Sequence, residues 1–119
     1  YNKSLIWLIT SRLEGFCLPA LEAMACGCCV ISTELTYAPD LIEDGKNGFI
    51  VPVGDVDAFM GRIEQTLESP EMQRRFVEKS QQKVKEYTWE ASANKMIEFL
   101  EQFYASHPVR HHSIRGGRA

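Results

Sequence analysis

Three short apolar runs, each leading into a segment of helical periodicity, restrict the folds open to this chain more than any other feature. "LIWLI" (Leu5 to Ile9), "CCVIST" (Cys28 to Thr33) and "FIVPV" (Phe49 to Val53) lack polar alternation and are too short for buried helices. They read as strands buried on both faces, as parallel strands are. "PALEAMACG" between the first two predicts a helix. Pro19 suits its first position, Leu21, Met24 and Ala25 share a face, and Gly27 suits the stop. "TYAPDLIEDGKNG" predicts a short helix with Thr36 as N-cap and Pro39 in the first turn, closed by the turn "DGKNG". Three longer helices follow the last run. "DVDAFMGRIEQTLES" starts at Asp55 and carries Phe59, Ile63 and Leu67 on one stripe. "SPEMQRRFVEKSQQKVKEY" has Ser69 as cap and Pro70 first. "TWEASANKMIEFLEQFYAS" has Thr88 as cap and Trp89, Met96, Ile97, Leu100, Phe103 and Tyr104 on its apolar side, with Trp89 expected in the core. The order β-α-β-α-β-α-α-α predicts an α/β fold, a parallel sheet with flanking helices and right-handed crossovers.

Composition narrows the function classes. A chain of 119 residues, 45% apolar and 24% charged, is long enough for one real core. A net charge of −3, with no basic stripe in the body of the chain, speaks against a nucleic-acid binder. No apolar run is long enough to span a bilayer. The opening shows neither an initiator Met nor a signal-peptide pattern, which suggests a piece of something longer. Cys17, Cys26, Cys28 and Cys29 fall in one narrow window. A disulfide framework spreads its cysteines, and "CGCC" lacks metal-ligand spacing, with His107, His111 and His112 far away. Small, buried, reduced thiols of a cytoplasmic protein are expected, and no metal. Residues 106–119, ending in "HPVRHHSIRGGRA", have no periodicity and are expected to be a flexible tail.

The chemistry concentrates in "TSRLEGFCL", the loop after the first strand. In open parallel sheets, ligands bind where strand carboxyl ends lead into helices. The following helix begins near Leu18, which cannot cap it, so first-turn N–H groups on Ala20 and Leu21 need other partners. An anion suits them, because the helix dipole adds positive charge there. Gly15 is expected to let the chain bend tightly and a ligand approach the backbone. Glu22, one turn into the helix, would repel a phosphate but suits the hydroxyls of a ribose. Glu14, before the turn, suits a second set of hydroxyls. Phosphates flanked by two sugars describe a nucleotide-sugar.

These residues carry a resemblance. "EGFCLPALEAMACGCCVIST" resembles the E-x7-E segment of retaining glycosyltransferases with the GT-B fold, of the glycosyltransferase family 4 (group 1) type, E-G-F-G-L-P-x-L-E-A-M-A-C-G-x-P-V-I-x-[ST]. Glu14, Gly15, Phe16, Leu18, Pro19, Leu21, Glu22, Ala23, Met24, Ala25, Cys26, Gly27, Val30 and Ile31 match it. "LIEDGKNGFIVPVGD" is similar to the family's D-G-x-N-G-x-L-V segment, and "YTWEASANKMIEFLEQFY" to its closing helix. The resemblance covers residues 1 to about 105. It implies a Rossmann-like C-terminal half-domain over 1–105, the part that binds the nucleotide-sugar donor. Glu14 would be catalytic, contacting the transferred sugar. The backbones of Gly15, Phe16, Cys17 and Leu18 would hold the diphosphate, and Glu22 the ribose. Neither a metal nor another cofactor is implied.

The same resemblance implies partners. The acceptor, a glycan or lipid-linked molecule, would be bound by an N-terminal domain outside this sequence. The parent would be cytoplasmic, at the inner face of a membrane and peripherally associated with it, and would serve polysaccharide assembly. The Arg and Lys that clamp the diphosphate in the family would lie upstream of Tyr1, so this part alone would be inactive. The sequence departs from the pattern at Cys17 (usually Gly), Cys29 (usually Pro), Thr36 and Tyr37 (often Gly-Gly) and Asp40 (often Glu). The departures at Cys17, Thr36 and Tyr37 keep one alternative open, a non-catalytic nucleotide- or protein-binding module; a second is a GT-B sugar-nucleotide epimerase or phosphorylase, which also holds a diphosphate or phosphate between two domains but lacks this glutamate spacing.

Overall fold

A computed structural model describes residues 1–107. The tail expected at 106–119 lies outside the described residues beyond His107. The elements are β1 (Ile6–Ile9), α1 (Leu18–Ala25), β2 (Cys29–Thr33), α2 (Ala38–Leu41), β3 (Gly48–Val51), α3 (Val56–Glu68), α4 (Pro70–Val84) and α5 (Trp89–Ser106). The strands pair in parallel in the order β1-β2-β3, as the alternation of strands and helices predicts. The chain divides into two units, Tyr1–Glu86 and Tyr87–Ala119.

In the first unit β2 is central, and all five of its residues are buried. One face of the sheet presents Cys29, Ile31, Phe49 and Val51 to α3 and α4, where Phe76 is fully buried and meets the Phe49 ring at 5.1 Å. β1 was expected to be buried on both faces. It is not: Leu5 is 42% and Leu8 43% exposed. Among the described residues it is an outer strand, with a neighbour on one edge only, and the helices cover less of it. The third strand ends at Val51 rather than Val53, because Pro52 has no N–H for the ladder.

Side-chain oxygens cap three helices as expected. Asp55 accepts from the Ala58 N–H at 2.8 Å, Ser69 from Met72 at 3.3 Å and Thr88 from Ala91 at 3.0 Å. Thr36 does not cap α2; Tyr37 holds that position with no side-chain cap bond, and the Ala38 N–H donates to the Leu35 carbonyl instead. The α1 face also differs. Ala20, Ala23 and Met24 are buried, not Leu21 and Ala25, and these small residues let the helix approach its neighbours closely. Along α3 the stripe continues from Phe59 and Ile63 to buried Thr66, and Leu67 is 55% exposed. Seven residues make nearly two full turns, so Thr66, not Leu67, repeats the position of Phe59.

The turn after α2 is built on Asn47, which is 4% exposed. Its Nδ2 donates to the Leu41 carbonyl at 2.9 Å, and its Oδ1 accepts from the Glu43 N–H at 2.8 Å. The Ser80 hydroxyl on α4 donates to the Asn47 carbonyl at 2.8 Å. Gly48 follows because a Cβ there would lie 2.7 Å from the Val30 carbonyl oxygen.

In the second unit, α5 has no buried residue, and Trp89 is 90% exposed rather than in a core. Among the described residues this unit holds α5 alone, so the ring has no second element of the unit on which to be buried. No helix among the described residues is long and apolar enough to cross a membrane. Three of the four free thiols are buried as expected; Cys26 is exposed.

Candidate functional site

The loop between β1 and α1 lies at the carboxyl end of the sheet and is held from beneath by β2. The Thr33 hydroxyl donates to the Ser11 carbonyl at 2.7 Å, and the Ser11 hydroxyl donates to the Glu14 carboxylate at 2.8 Å. Glu14 is half-buried and so fixed from the loop's own first turn. Glu22 is exposed and accepts from the Tyr1 hydroxyl at 2.7 Å, a bond that pushes the Tyr1 phenol up to about 12. Glu14 and Glu22 therefore have separate partners.

Cys17 is the N-cap of α1 and makes no side-chain cap bond. Part of the donor shortage expected at this helix end is met locally. The Leu18 N–H donates to the Phe16 carbonyl at 3.1 Å, and the Ala20 N–H to the Cys17 carbonyl at 3.0 Å; Pro19 has none to offer. The Cys17 φ of −83° is ordinary for an L-residue. The residue as a whole is 5% exposed, so the thiol turns inward and the loop's outer surface is made by its exposed neighbours Gly15 and Phe16. Leu18 and the Phe16 ring are half-exposed at the rim.

Gly15 is exposed and does not have a positive φ, unlike Gly27, Gly45 and Gly54. The expected glycine-dependent bend is therefore absent. A Cβ at Gly15 would meet nothing within 4 Å. What remains of the glycine's role is open space beside the backbone.

Tyr37, expected to border the site where the resembling pattern often has glycine, is 2% exposed and supports the loop from inside. Its hydroxyl lies 3.0 Å from the Ser32 hydroxyl, and its ring meets the Phe16 ring edge-on at 6.5 Å. Burial is the largest cause raising its phenol to about 12. Sequence reasoning missed the roles of Ser11, Ser32 and Thr33. The available signal was a pair of polar residues at the carboxyl end of a central strand, where burial demands partners.

A cleft of about 490 Å³, lined by Leu5, Gln73, Val77 and Gln81 among others, runs beside α4, away from this loop. It holds no carboxylate pair and no helix N-terminus, so the chemistry favours the more open loop.

Residues 1–83 match the family model described as glycosyl transferases group 1. The chain is 30% identical over 97 residues to O-antigen chain mannosyltransferase B of Escherichia coli, covering 82% of this chain and 25% of that protein. It is 31% identical over 99 residues to N-acetyl-alpha-D-glucosaminyl L-malate synthase of Bacillus anthracis, covering 83% and 25%. Sucrose-phosphate synthase from Thermosynechococcus elongatus matches in structure with a TM-score of 0.74 at 29% identity, over 86% of this chain and 26% of that one. The chain thus spans about a quarter of the length of the curated relatives it matches.

Proposed function

The chain belongs to the group 1 glycosyl transferases, with a Rossmann-like half-domain of the GT-B kind, and we propose that it is the donor-binding part of a retaining, family 4-type enzyme. The whole enzyme would move a sugar from a nucleotide diphosphate-sugar to a glycan or lipid-linked acceptor held by another domain. The observation that carries this reading is the position of the E-x7-E segment. Glu14 lies in the loop before α1 and Glu22 in the second turn of that helix, whose start no side chain caps.

In this reading the loop backbone from Gly15 to Cys17 takes the diphosphate, assisted by the α1 dipole. Leu18 belongs to the same cradle, but its N–H is already given to Phe16, so it contributes through the helix end rather than as a ready donor. Glu22 takes the ribose hydroxyls, exchanging its bond to Tyr1 for them. Glu14, kept in place by Ser11, faces the transferred sugar. Glycosyl transfer passes through an oxocarbenium-like state, so a carboxylate near the reacting carbon and a stabilised diphosphate leaving group both lower the barrier. The reading requires no metal, because main chain and dipole hold the phosphates. It places the enzyme in the cytoplasm beside a membrane-bound acceptor. The relatives' names, a mannosyltransferase and a glucosaminyl malate synthase, support sugar transfer without fixing the sugar.

The test is kinetic, on the full-length enzyme that contains this chain. Glu22→Ala should raise the KM for the nucleotide-sugar, and Glu14→Ala should mainly lower kcat. Wild-type kinetics in both variants would sink the assignment.

A further inference from the structure

The carboxyl end of β2 holds the loop at two separate points. One branch runs from Thr33 to the Ser11 carbonyl and from the Ser11 hydroxyl to Glu14. The other begins at Ser32, which is fully buried and donates to the Thr33 carbonyl at 2.9 Å. The Ser32 hydroxyl also lies 3.0 Å from the Tyr37 hydroxyl, so the two share a hydrogen bond. The Tyr37 ring braces the Phe16 ring, edge-on at 6.5 Å. A phenol this deeply buried is held by its partners as well as by shape, so its position is specified rather than incidental.

We propose that Tyr37 is a positioning residue for the diphosphate cradle, fixing the loop at Phe16 through its ring while its hydroxyl is tied to Ser32, and that Glu14 is fixed independently through Thr33 and Ser11. The proposal rests on the nucleotide-sugar reading above. It gives the two polar residues of β2 different tasks: the Ser32 branch sets donor affinity, and the Thr33 branch sets the carboxylate that acts on the sugar. Tyr37 itself, 2% exposed, touches no ligand and acts only through the loop. Its hydroxyl can be removed without stranding Ser32, which keeps the Thr33 carbonyl as its acceptor.

The experiment uses the full-length enzyme with Tyr37→Phe, Ser32→Ala and Ser11→Ala, each first checked for an intact thermal melt. Calorimetry with UDP, GDP and ADP should show about a fivefold loss of affinity in Tyr37→Phe for whichever diphosphate the wild type binds, the worth of one hydrogen bond. Ser32→Ala should reproduce that loss. In turnover, Tyr37→Phe should raise the donor KM and keep kcat, and Ser11→Ala should lower kcat and keep KM, a split that general loosening would not produce. Unchanged diphosphate affinity in both Tyr37→Phe and Ser32→Ala would overturn the proposal. So would a fall in kcat at unchanged KM in Tyr37→Phe. If the proposal alone fails, Glu22→Ala still weakens diphosphate-sugar binding. If the wild type binds none of the three diphosphates, the nucleotide-sugar reading falls and this proposal with it.

Discussion

Gly15→Ala separates the two reasons a glycine can be placed in a ligand loop. The backbone at Gly15 is outside the left-handed region, and an added Cβ meets no heavy atom within 4 Å. The folded chain therefore has nothing to lose. The unfolded chain loses freedom, so the substitution should stabilise by about 0.4–1 kcal/mol. A bound diphosphate approaching that backbone would meet the new methyl. Overpacking of this kind costs about 1–3 kcal/mol, which in affinity is roughly five- to 150-fold. Two assays decide it: urea denaturation followed by circular dichroism, and calorimetric titration of the full-length enzyme with UDP and GDP. Gly48→Ala is the contrast, since its Cβ would sit 2.7 Å from the Val30 carbonyl and 3.2 Å from Ile42 Cγ2 and should destabilise without a ligand being involved. A stable Gly15→Ala variant with undiminished diphosphate affinity would refute the idea that the ligand lies against this backbone. A destabilised one would refute the open, unstrained conformation described for it.

Two further outcomes follow from the buried polar groups. Asn47→Ala removes the bonds to the Leu41 carbonyl and the Glu43 N–H and should cost about 2–3 kcal/mol, read as a lower urea midpoint. Alkali should destabilise the fold in a defined window. Burial pushes the Cys29 thiol from 9.0 up to about 11, and Tyr37 is raised from 10.0 to about 12. Both groups hold their protons more tightly folded than unfolded, so their contribution is intact below pH 9 and is lost as pH rises through 9–11 and 10–12. Each shift of two pKa units is worth about 2–3 kcal/mol at most. The urea midpoint should be flat from neutrality to mildly alkaline pH and fall steeply above, and Tyr37→Phe should remove the upper part of that fall.

The parallel sheet was legible because apolar runs of strand length alternate with helical periods, and no other layer arrangement buries that pattern. The three capped helices were legible because Asp55, Ser69 and Thr88 carry the chemistry of their own boundaries. The faces of α1 and α3 were harder. Ala20, Ala23 and Thr66 are buried for their size and angular position, and a reading by hydrophobicity passes over small and polar residues. The candidate loop could be located from Glu14, Gly15 and Glu22, but its support could not. Ser32, Thr33 and Tyr37 act through distances across the sheet, and nothing in their sequence spacing relative to Ser11 or Phe16 reveals that they meet.

The Asn47 turn has a consequence for how this architecture can change over time. Connections between strands and helices are ordinarily where a chain absorbs insertions. This one has an exposed Lys46 and the sequence of an ordinary surface turn, yet its neighbours Asn47 and Gly48 are buried, and α4 reaches across to hold it. An added residue would break the side-chain bonds that close the turn and move Gly48 out of register with Val30. Length variation among chains of this architecture should therefore collect in other loops, and a grafted peptide would be better tolerated between α3 and its preceding strand, around Val53 and Gly54, where the backbone is open to solvent.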